Sequence, residues 1–345
     1  MSTFTKEKIA QLNQFISSAN NIVITAHKSP DGDSVGSSLA MFHYLKKLNK
    51  SVTICHPDVA PSFLHWMEGT SDILTLENNN EEVKKLIKEA DLIFCLDYNH
   101  PSRTGRMEDI LVAAKAPKII VDHHRDPDTK FCTLLFSDIS ICSTCQMVYE
   151  LIEATGNVNL IDSQIGTPIY TGIVTDTGSF RFSSTTERTH QIVSQLLKIG
   201  VKNWEVHENL FDSNSLNKLK MVSYALLEKL VIIKEFNVAY VWITQEEEKR
   251  FEIVKGDTEG LVNQILGIDG IKMSGFFKES DQIIKISFRS KGSIPVNIFA
   301  NEHFEGGGHL NAAGGKYVGN IQAAIEKFVT NLPKFVEVNK ALFNE

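Results

Sequence analysis

The sequence predicts an α/β protein of two domains, the first built on a parallel sheet with helices on both faces. Over the first two hundred residues, short apolar runs alternate with helical segments, which is typical of parallel strands connected by helices. Several of these runs end on acidic or histidine residues, as expected where parallel strands meet at one functional edge. Beyond residue 230 the pattern changes to alternating strands followed by a helix, which predicts a smaller mixed-sheet α/β domain.

Each predicted element rests on a local pattern. Apolar runs rich in β-branched residues indicate buried strands, and segments with one apolar face indicate helices. Ser143 or Thr144 is placed to cap one helix, and Gly200 ends another. The predicted strands are residues 22–26, 51–55, 91–97, 118–121, 238–243, 271–277 and 283–288, and the predicted helices are 34–48, 81–89, 107–115, 145–154, 163–175, 187–199 and 321–330.

The 345 residues are sufficient for two domains that each bury a core. We expect the first domain at residues 1–200 and the second at residues 231–345. Between them, residues 201–230 hold two short amphipathic pieces around a polar stretch, and they are predicted to form a helical linker.

Composition excludes several classes of protein. The formal net charge of −7 argues against a surface that binds long duplex nucleic acid, although it leaves room for a small phosphorylated substrate. Five scattered cysteines do not suggest a disulfide framework. Neither a signal peptide nor an apolar run of bilayer-spanning length is visible. We therefore expect a cytoplasmic protein with no membrane association.

The first strand leads directly into a group of potential metal ligands. His27 follows the strand, and Pro30 with Gly32 predicts a tight loop that carries Asp31 and Asp33. One imidazole and two carboxylates at a strand end suit Mn²⁺ or Mg²⁺. An acidic turn whose aspartate caps the following helix is the alternative, and this motif alone leaves it open.

Three further places supply the same kinds of side chain. They are Asp97, the run Asp122-His123-His124, and Asp176. Carboxylates that converge on one sheet edge repel one another unless a positive charge offsets them. Two cations about 3.5–4 Å apart satisfy that demand and are typical of phosphoryl-hydrolysis centres.

Together these motifs resemble the DHH phosphoesterase superfamily. They are His27-x-x-x-Asp31-x-Asp33-Ser34-x-Gly36-Ser37, Leu96-Asp97 followed by Arg103, Val121-Asp122-His123-His124, and Asp176-Thr177. Arg289-Ser290 and Gly306-Gly307-Gly308-His309 resemble the accessory DHHA1 domain. Length and domain content are most similar to the branch of nanoRNases and 3′-phosphoadenosine-5′-phosphate (pAp) phosphatases.

The resemblance implies two Mn²⁺ ions, with Mg²⁺ as the alternative, at an active site in the cleft between the domains. His27 and Asp31 would ligate one ion, while Asp33, His123 and Asp176 would ligate the other. Asp97 would bridge both. Asp122 would orient a ligand histidine, and His124 would face the substrate phosphate and be the candidate for protonating the leaving oxygen.

The resemblance also implies a set of substrate-binding residues, namely Arg103, Arg289, Gly306, Gly307, Gly308 and His309. Arg289 suits bidentate contact with a phosphate, and the glycines allow backbone N–H groups to approach one. The alternatives are a pairing of Arg103 with a nearby acid, a surface position for Arg289, and a plain flexible turn for the glycine-rich loop.

The activity that the resemblance implies is phosphohydrolysis by attack of metal-activated hydroxide. Its substrates would be very short RNA oligonucleotides or pAp, from which loss of the 3′-phosphate yields AMP. A linear-dinucleotide phosphodiesterase is the enzymatic alternative, and a nucleotide-binding regulatory module is the non-enzymatic one. The native metal, the exonuclease polarity and the oligomeric state, including a homodimer, stay open at this point.

Overall fold

The computed structural model describes residues 3–254 and 256–344. The chain divides into two compact units, with the boundary between Ser213 and Asn214. The two-domain α/β architecture is therefore confirmed, while the finer division into residues 1–200, 201–230 and 231–345 stays a prediction. Each unit is described by itself below.

Unit 1 contains a six-stranded parallel sheet with the strand order β3-β2-β1-β4-β5-β6. Its strands are β1 (Asn21–Thr25), β2 (Ser51–His56), β3 (Leu74–Thr75), β4 (Leu92–Leu96), β5 (Lys118–Asp122) and β6 (Leu134–Ser137). The order reverses direction between β1 and β4, and the carboxyl ends that meet at such a point are where open α/β sheets bind ligands.

The helices of unit 1 cover both faces of this sheet. They are α1 (Lys6–Ser18), α2 (Gly32–Lys47), α3 (Asn80–Glu89), α4 (Glu108–Ala113), α5 (Thr144–Ala154), α6 (Ser163–Asp176), α7 (Glu187–Lys198) and α8 (Asn203–Phe211). Successive strand residues point to opposite faces. Accordingly Ile22 and Ile24 pack in one core with α2, α5 and α6, whereas Val23 packs in another with α3 and α4. The predicted layering of this domain is confirmed.

Unit 2 contains a mixed sheet with the strand order β11-β12-β10-β9-β8-β7, in which only the β8–β9 pair is parallel. Its strands are β7 (Val231–Ile233), β8 (Val238–Ile243), β9 (Met273–Ser280), β10 (Ile283–Ser290), β11 (Gly307–His309) and β12 (Ala312–Val318). Its helices are α9 (Leu216–Tyr224), α10 (Gln245–Arg250), α11 (Leu261–Leu266), α12 (Val296–Phe304), α13 (Ile321–Val338) and α14 (Lys340–Asn344). The buried rings of Phe277, Phe288, Phe299 and Phe328 form the centre of its core.

Two predicted elements differ from the structure. The glycine-rich loop is instead the short strand β11, because Gly307 and His309 pair with β12 and Gly308 adopts a φ of +136° that glycine tolerates. Helix α13 runs past the predicted end at residue 330 and includes Pro333. Burial of Leu332 and Phe335 in the core stabilises this last part of the helix despite the missing backbone donor.

None of the helices in residues 3–254 and 256–344 combines the length and the apolarity needed to cross a bilayer.

Candidate metal centre

The predicted ligands of unit 1 meet at the carboxyl ends of β1, β4 and β5. His27 lies just after β1, Asp97 follows β4 directly, and His123 follows β5. Asp97 has a φ of +62°, a left-handed conformation that is uncommon outside glycine and is found at functional sites. Asp176, the last residue of α6, reaches the same edge, where its Oδ2 lies 3.2 Å from His123 Nε2.

The geometry of Asp31 is compatible with both roles that its motif left open, helix cap and metal ligand. Its Oδ1 accepts hydrogen bonds from the backbone N–H groups of Asp33 (3.1 Å) and Ser34 (3.0 Å), so it caps α2. Its Oδ2 lies 3.6 Å from Nε2 of His27. Because a carboxylate has two oxygens, capping the helix does not prevent Asp31 from facing the histidine.

Asp97 belongs to three groups of candidate ligands at once, and two of them contain only residues predicted to ligate metal. Its Oδ2 lies 3.2 Å from His27 Nε2, and its Oδ1 lies 3.6 Å from His123 Nε2. The ligand atoms of His27, Asp31 and Asp97 lie within 4.8 Å of one another, and the same holds for Asp33, Asp97 and His123. Two donor triads that share one carboxylate are the arrangement expected of a pair of bridged cations.

Backbone carbonyl groups orient the two histidines of these triads. The carbonyl oxygen of Lys28 lies 2.7 Å from His27 Nδ1, and that of Ile141 lies 3.2 Å from His123 Nδ1. A carbonyl only accepts, so each Nδ1 carries a proton and donates it. In the neutral ring Nε2 is then the coordinating atom, and each Nε2 faces carboxylates.

The start of α5 holds Asp33. The backbone N–H groups of Thr144 and Cys145 donate to its Oδ2 (2.6 Å) and Oδ1 (2.8 Å), and the Thr144 hydroxyl donates to Asp97 Oδ1 (3.0 Å). The sequence indicated Ser143 or Thr144 as a cap. Ser143 is the cap, through Gln146 N–H, while Thr144 contacts the carboxylates. In the sequence, the contact of Thr144 with these carboxylates is indicated only by its position at the start of a helix after the Asp-His-His run.

The electrostatics of the edge favour a cation. Burial raises the pKa of Asp33 well above its usual range, and the charges of Asp97 and Asp176 raise it further. Burial opposes the charged form of His123, yet Asp176 and Asp33 outweigh it and raise its pKa to about 10. When no metal ion is bound, protons on Asp33 and His123 therefore offset part of the carboxylate charge. Because the donors are carboxylates and imidazoles, the same side chains fit Mn²⁺ or Mg²⁺.

Asp122 and His124 form a buried pair that, together with Asp97, makes up the third group of candidate ligands. Asp122 accepts two hydrogen bonds from His124, one from the ring Nδ1–H (2.7 Å) and one from the backbone N–H (3.0 Å). We expected Asp122 to orient a metal-ligating histidine, and the histidine it contacts here is His124. Burial lowers the pKa of His124 to about 3, so its ring is neutral near pH 7. Nη2 of Arg103 lies 3.5 Å from His124 Nε2.

The remaining predicted residues lie in unit 2. Arg289 is the next-to-last residue of β10, where its Nη1 donates to the carbonyl of Phe288 (2.9 Å). His309 ends β11, and it pairs with Ala312 of β12, which in turn pairs with Arg289. Arg289 and His309 are therefore brought to the same end of neighbouring strands, although twenty residues separate them in the sequence.

Comparison with known proteins agrees with the two-domain architecture. The DHH family, N-terminal domain, matches residues 21–173, and the DHHA1 domain matches residues 235–337. The bifunctional oligoribonuclease and PAP phosphatase NrnA of Thermus thermophilus is 32% identical over 89% of this chain and 87% of its own length. The crystal structure of an exopolyphosphatase-related protein from Bacteroides fragilis has a TM-score of 0.92 at 38% identity, covering 99% of this chain and 98% of that one.

The chain therefore belongs to the DHH family, carries a DHHA1 domain and is a phosphoesterase. Within that class it is similar to NrnA proteins, including the one from Bacillus subtilis at 28% identity over 88% of this chain. It is also similar to the cyclic-di-AMP phosphodiesterase GdpP of Bacillus subtilis, at 25% identity over 94% of this chain, although it spans only about half (49%) of that protein's length. The family resemblance inferred from the motifs is confirmed.

Proposed function

We propose that the protein is a Mn²⁺-dependent phosphohydrolase that degrades very short RNA oligonucleotides and removes the 3′-phosphate of pAp. The observation that carries the metal assignment is the position of Asp97, whose carboxylate is shared by two donor triads. Similarity to NrnA proteins over nearly the whole chain supports the substrate class.

The proposed ligands are the residues of the two triads together with Asp176, which lies beside His123. His27 and Asp31 would hold one cation, Asp33, His123 and Asp176 would hold the other, and Asp97 would contribute to both. When bound, the two cations lower the pKa of a water molecule and offset the charge of the phosphoryl group. The protein contributes orientation, since backbone carbonyls hold the histidine Nε2 atoms toward the carboxylates and backbone N–H groups hold Asp33.

His124 and Arg103 are proposed to contact the substrate phosphate. The carboxylate of Asp122 holds the His124 ring with its proton on Nδ1, so the neutral Nε2 accepts a hydrogen bond. Protonation of a leaving oxygen by this histidine therefore requires that Nε2 first receive a proton. Arg103 supplies a permanent positive charge 3.5 Å from that nitrogen, and a guanidinium is well suited to a phosphate oxygen.

Arg289 and the segment Gly306 to His309 are proposed to bind a second phosphate or the far end of the substrate. The cation on β10 and the imidazole on β11 lie at the same end of neighbouring strands. This arrangement favours short substrates with two phosphates over long strands, and the net charge of −7 agrees with that preference.

The experiment is a substrate panel with the metal-free protein reconstituted in Mn²⁺ or Mg²⁺. It contains pAp, RNA of two to five nucleotides, a long single-stranded RNA, a linear dinucleotide from cyclic-di-AMP, and bis(p-nitrophenyl) phosphate. We expect the highest kcat/KM on pAp and RNA of two to five nucleotides, in Mn²⁺. Asp97→Asn, which preserves the side-chain shape but removes the charge, serves as the inactive control.

Two outcomes would contradict the proposal. Rapid degradation of the long RNA, with a steep dependence on salt, would indicate an exonuclease for long strands. A strong preference for the linear dinucleotide would favour the second candidate, a dinucleotide phosphodiesterase, for which the similarity to GdpP over 94% of this chain is the supporting observation.

A further inference from the structure

Thr144 links Asp33 and Asp97, the two most buried carboxylates among the proposed metal ligands. It is completely buried at the first position of α5. Its backbone N–H donates to Asp33 (2.6 Å), and its side-chain hydroxyl donates to Asp97 (3.0 Å). A single residue therefore contacts one carboxylate proposed for the second ion and the carboxylate proposed to bridge both ions.

The direction of the hydroxyl bond follows from the chemistry of the partners. An ionised carboxylate only accepts hydrogen bonds, so the single hydroxyl proton of Thr144 points to Oδ1 of Asp97. Thr144 is β-branched, and the first helical turn restricts its χ1 rotamers. The helix therefore limits the directions that the hydroxyl can take, and in the structure it donates to the Asp97 carboxylate.

That bond sets the rotation of the Asp97 carboxylate. Oδ1, the oxygen that accepts from Thr144, lies on the side of His123, at 3.6 Å from its Nε2. Oδ2 lies on the side of His27, at 3.2 Å from its Nε2. Without the hydroxyl, rotation about the Cβ–Cγ bond could turn Oδ1 away from His123, and the carboxylate would no longer offer one oxygen to each triad.

We propose that Thr144 is a positioning residue that holds Asp97 in the orientation needed to bridge two cations. The inference rests on the metal centre proposed above. It differs from that proposal because it concerns a side chain that is not among the proposed metal ligands or substrate-binding residues. Hydrogen-bond partners of metal ligands typically change metal affinity by about 10–100-fold when they are lost.

The test compares Mn²⁺ affinity in four metal-free proteins: wild type, Thr144→Ser, Thr144→Ala and Thr144→Val. Electron paramagnetic resonance of free Mn²⁺ gives the dissociation constants without any turnover, and calorimetry gives Tm of each metal-free protein. Ser and Ala both remove the γ-methyl group, so only the hydroxyl distinguishes them. We expect Ser to bind Mn²⁺ as wild type does, and Ala and Val to bind it about 10–100-fold more weakly.

Three results would be decisive against parts of this scheme. If the Ser and Ala variants both bind Mn²⁺ as tightly as wild type does, the role of the hydroxyl is overturned. Equally weak binding by both would assign the effect to packing of the methyl group and would also overturn it. If wild type itself binds no Mn²⁺, the proposed metal centre is wrong. The Ser/Ala pair decides the matter even if the Val variant does not fold.

Discussion

At the scale of single residues, the main feature is that the candidate ligands are held by neighbours that are not ligands themselves. The carbonyl groups of Lys28 and Ile141 orient His27 and His123, and the start of α5 holds Asp33. Such contacts keep side chains in place before an ion arrives, which lowers the cost of forming the complex. The roles of individual residues can therefore be separated by substitutions that preserve these contacts.

Substitutions of His124 and of Asp97 should have different effects on Mn²⁺ affinity and on turnover. We expect His124→Asn to retain wild-type Mn²⁺ affinity, because its amide nitrogen can still donate to Asp122, while kcat falls by about 10²-fold or more. We expect Asp97→Asn to lose both Mn²⁺ affinity and turnover, because the shared carboxylate charge is gone. Dissociation constants and kcat of the two variants check this. Loss of Mn²⁺ binding in His124→Asn would instead make His124 a ligand.

His56 should make the protein sensitive to acid. Ser38 donates its hydroxyl proton to the carbonyl of Ser34 (2.7 Å), so the buried His56 donates through Nε2 to the Ser38 oxygen (3.0 Å). Burial, together with the charge of His27, lowers the pKa of His56 to about 3. Because the pKa of His56 is lower in the folded protein than in the unfolded chain, where it is near 6.5, the unfolded chain binds the proton first. The folded protein therefore loses stability as the pH falls from about 6.5 toward 3.

The measurement is the free energy of unfolding in urea at pH 7 and pH 5, without metal. His56→Gln removes the titrating ring but can keep a donor to Ser38. Between these pH values the free energy of unfolding of the wild type should fall by about 2 kcal/mol more than that of the variant. The figure follows from about 1.36 kcal/mol for each pH unit below the pKa of the unfolded chain. Equal pH dependence in both proteins would show that His56 does not titrate on unfolding.

The candidate ligands were predictable from the sequence because most of them follow an apolar run at a strand end, whereas Asp176 ends the helix α6. The hydrogen bonds that hold these residues in place were not predictable. Thr144 carries no pattern that distinguishes a carboxylate donor from an ordinary cap, and Asp122 could have served either neighbouring histidine. Hydrogen-bond partners far apart in the sequence depend on the fold in three dimensions, which a single sequence does not display.

At the scale of elements, close contact between helices brings the site together. Gly172 of α6 faces α2 and α5, where a methyl group added at this position would overlap Cys145 Sγ and would lie 2.7 Å from Asp33 Oδ1. Gly36 of α2 approaches α6 in the same way, with 2.5 Å to the carbonyl oxygen of Pro168. The absence of side chains at these positions lets three helices meet next to the candidate ligand Asp33.

Gly172→Ala should therefore disturb both packing and the site. Although alanine favours helices, the added methyl group overlaps Cys145 and Asp33, and overpacking typically costs about 1–3 kcal/mol. We expect a lower free energy of unfolding together with weaker Mn²⁺ binding. Ser163→Ala, at an exposed position of the same helix, is the control and should change neither quantity. Wild-type stability of Gly172→Ala would show that the helices can move apart freely.

Strands and helices with strong periodic patterns were well predicted, and β8 has the predicted bounds, Val238–Ile243. Helix α1, strand β6 and strand β12 were not predicted. Strand β12 contains Gly314 and Gly315, which are unfavourable in strands, and it forms because it pairs with β10 over seven residues. Its formation therefore depends on a partner strand and not on its own composition.

At the scale of the whole molecule, the candidate ligands and the proposed substrate residues are divided between the two units. All six proposed ligands precede residue 177, whereas Arg289 and His309 belong to unit 2. The sequence predicted this division because the motifs fall into two groups with a change of pattern between them. A substrate with two phosphates should depend on both groups, and a small ester with one phosphate should depend on the first alone.

Arg289→Ala and His309→Ala should thus discriminate between substrates. For Arg289→Ala we expect a loss of roughly ten- to hundredfold in kcat/KM on pAp, since a hydrogen bond to a charged group contributes about 1.5–3 kcal/mol. His309→Ala should also lose most of its activity on pAp, while both variants keep near-normal activity on bis(p-nitrophenyl) phosphate. Arg289→Lys, which keeps the charge, should lose less. Equal losses on both substrates would mean that unit 2 supports the metal centre itself.

Unit 1 is formed by one continuous segment of the chain, and this has a consequence for folding during translation. Domains generally fold as units, and the N-terminal one folds first during synthesis. The strands that carry the candidate ligands, and the helices that hold them, are all complete before the first residue of unit 2 is added. We therefore expect that a nascent chain still attached to the ribosome already binds the proposed cations, before the residues proposed to select the substrate have been translated.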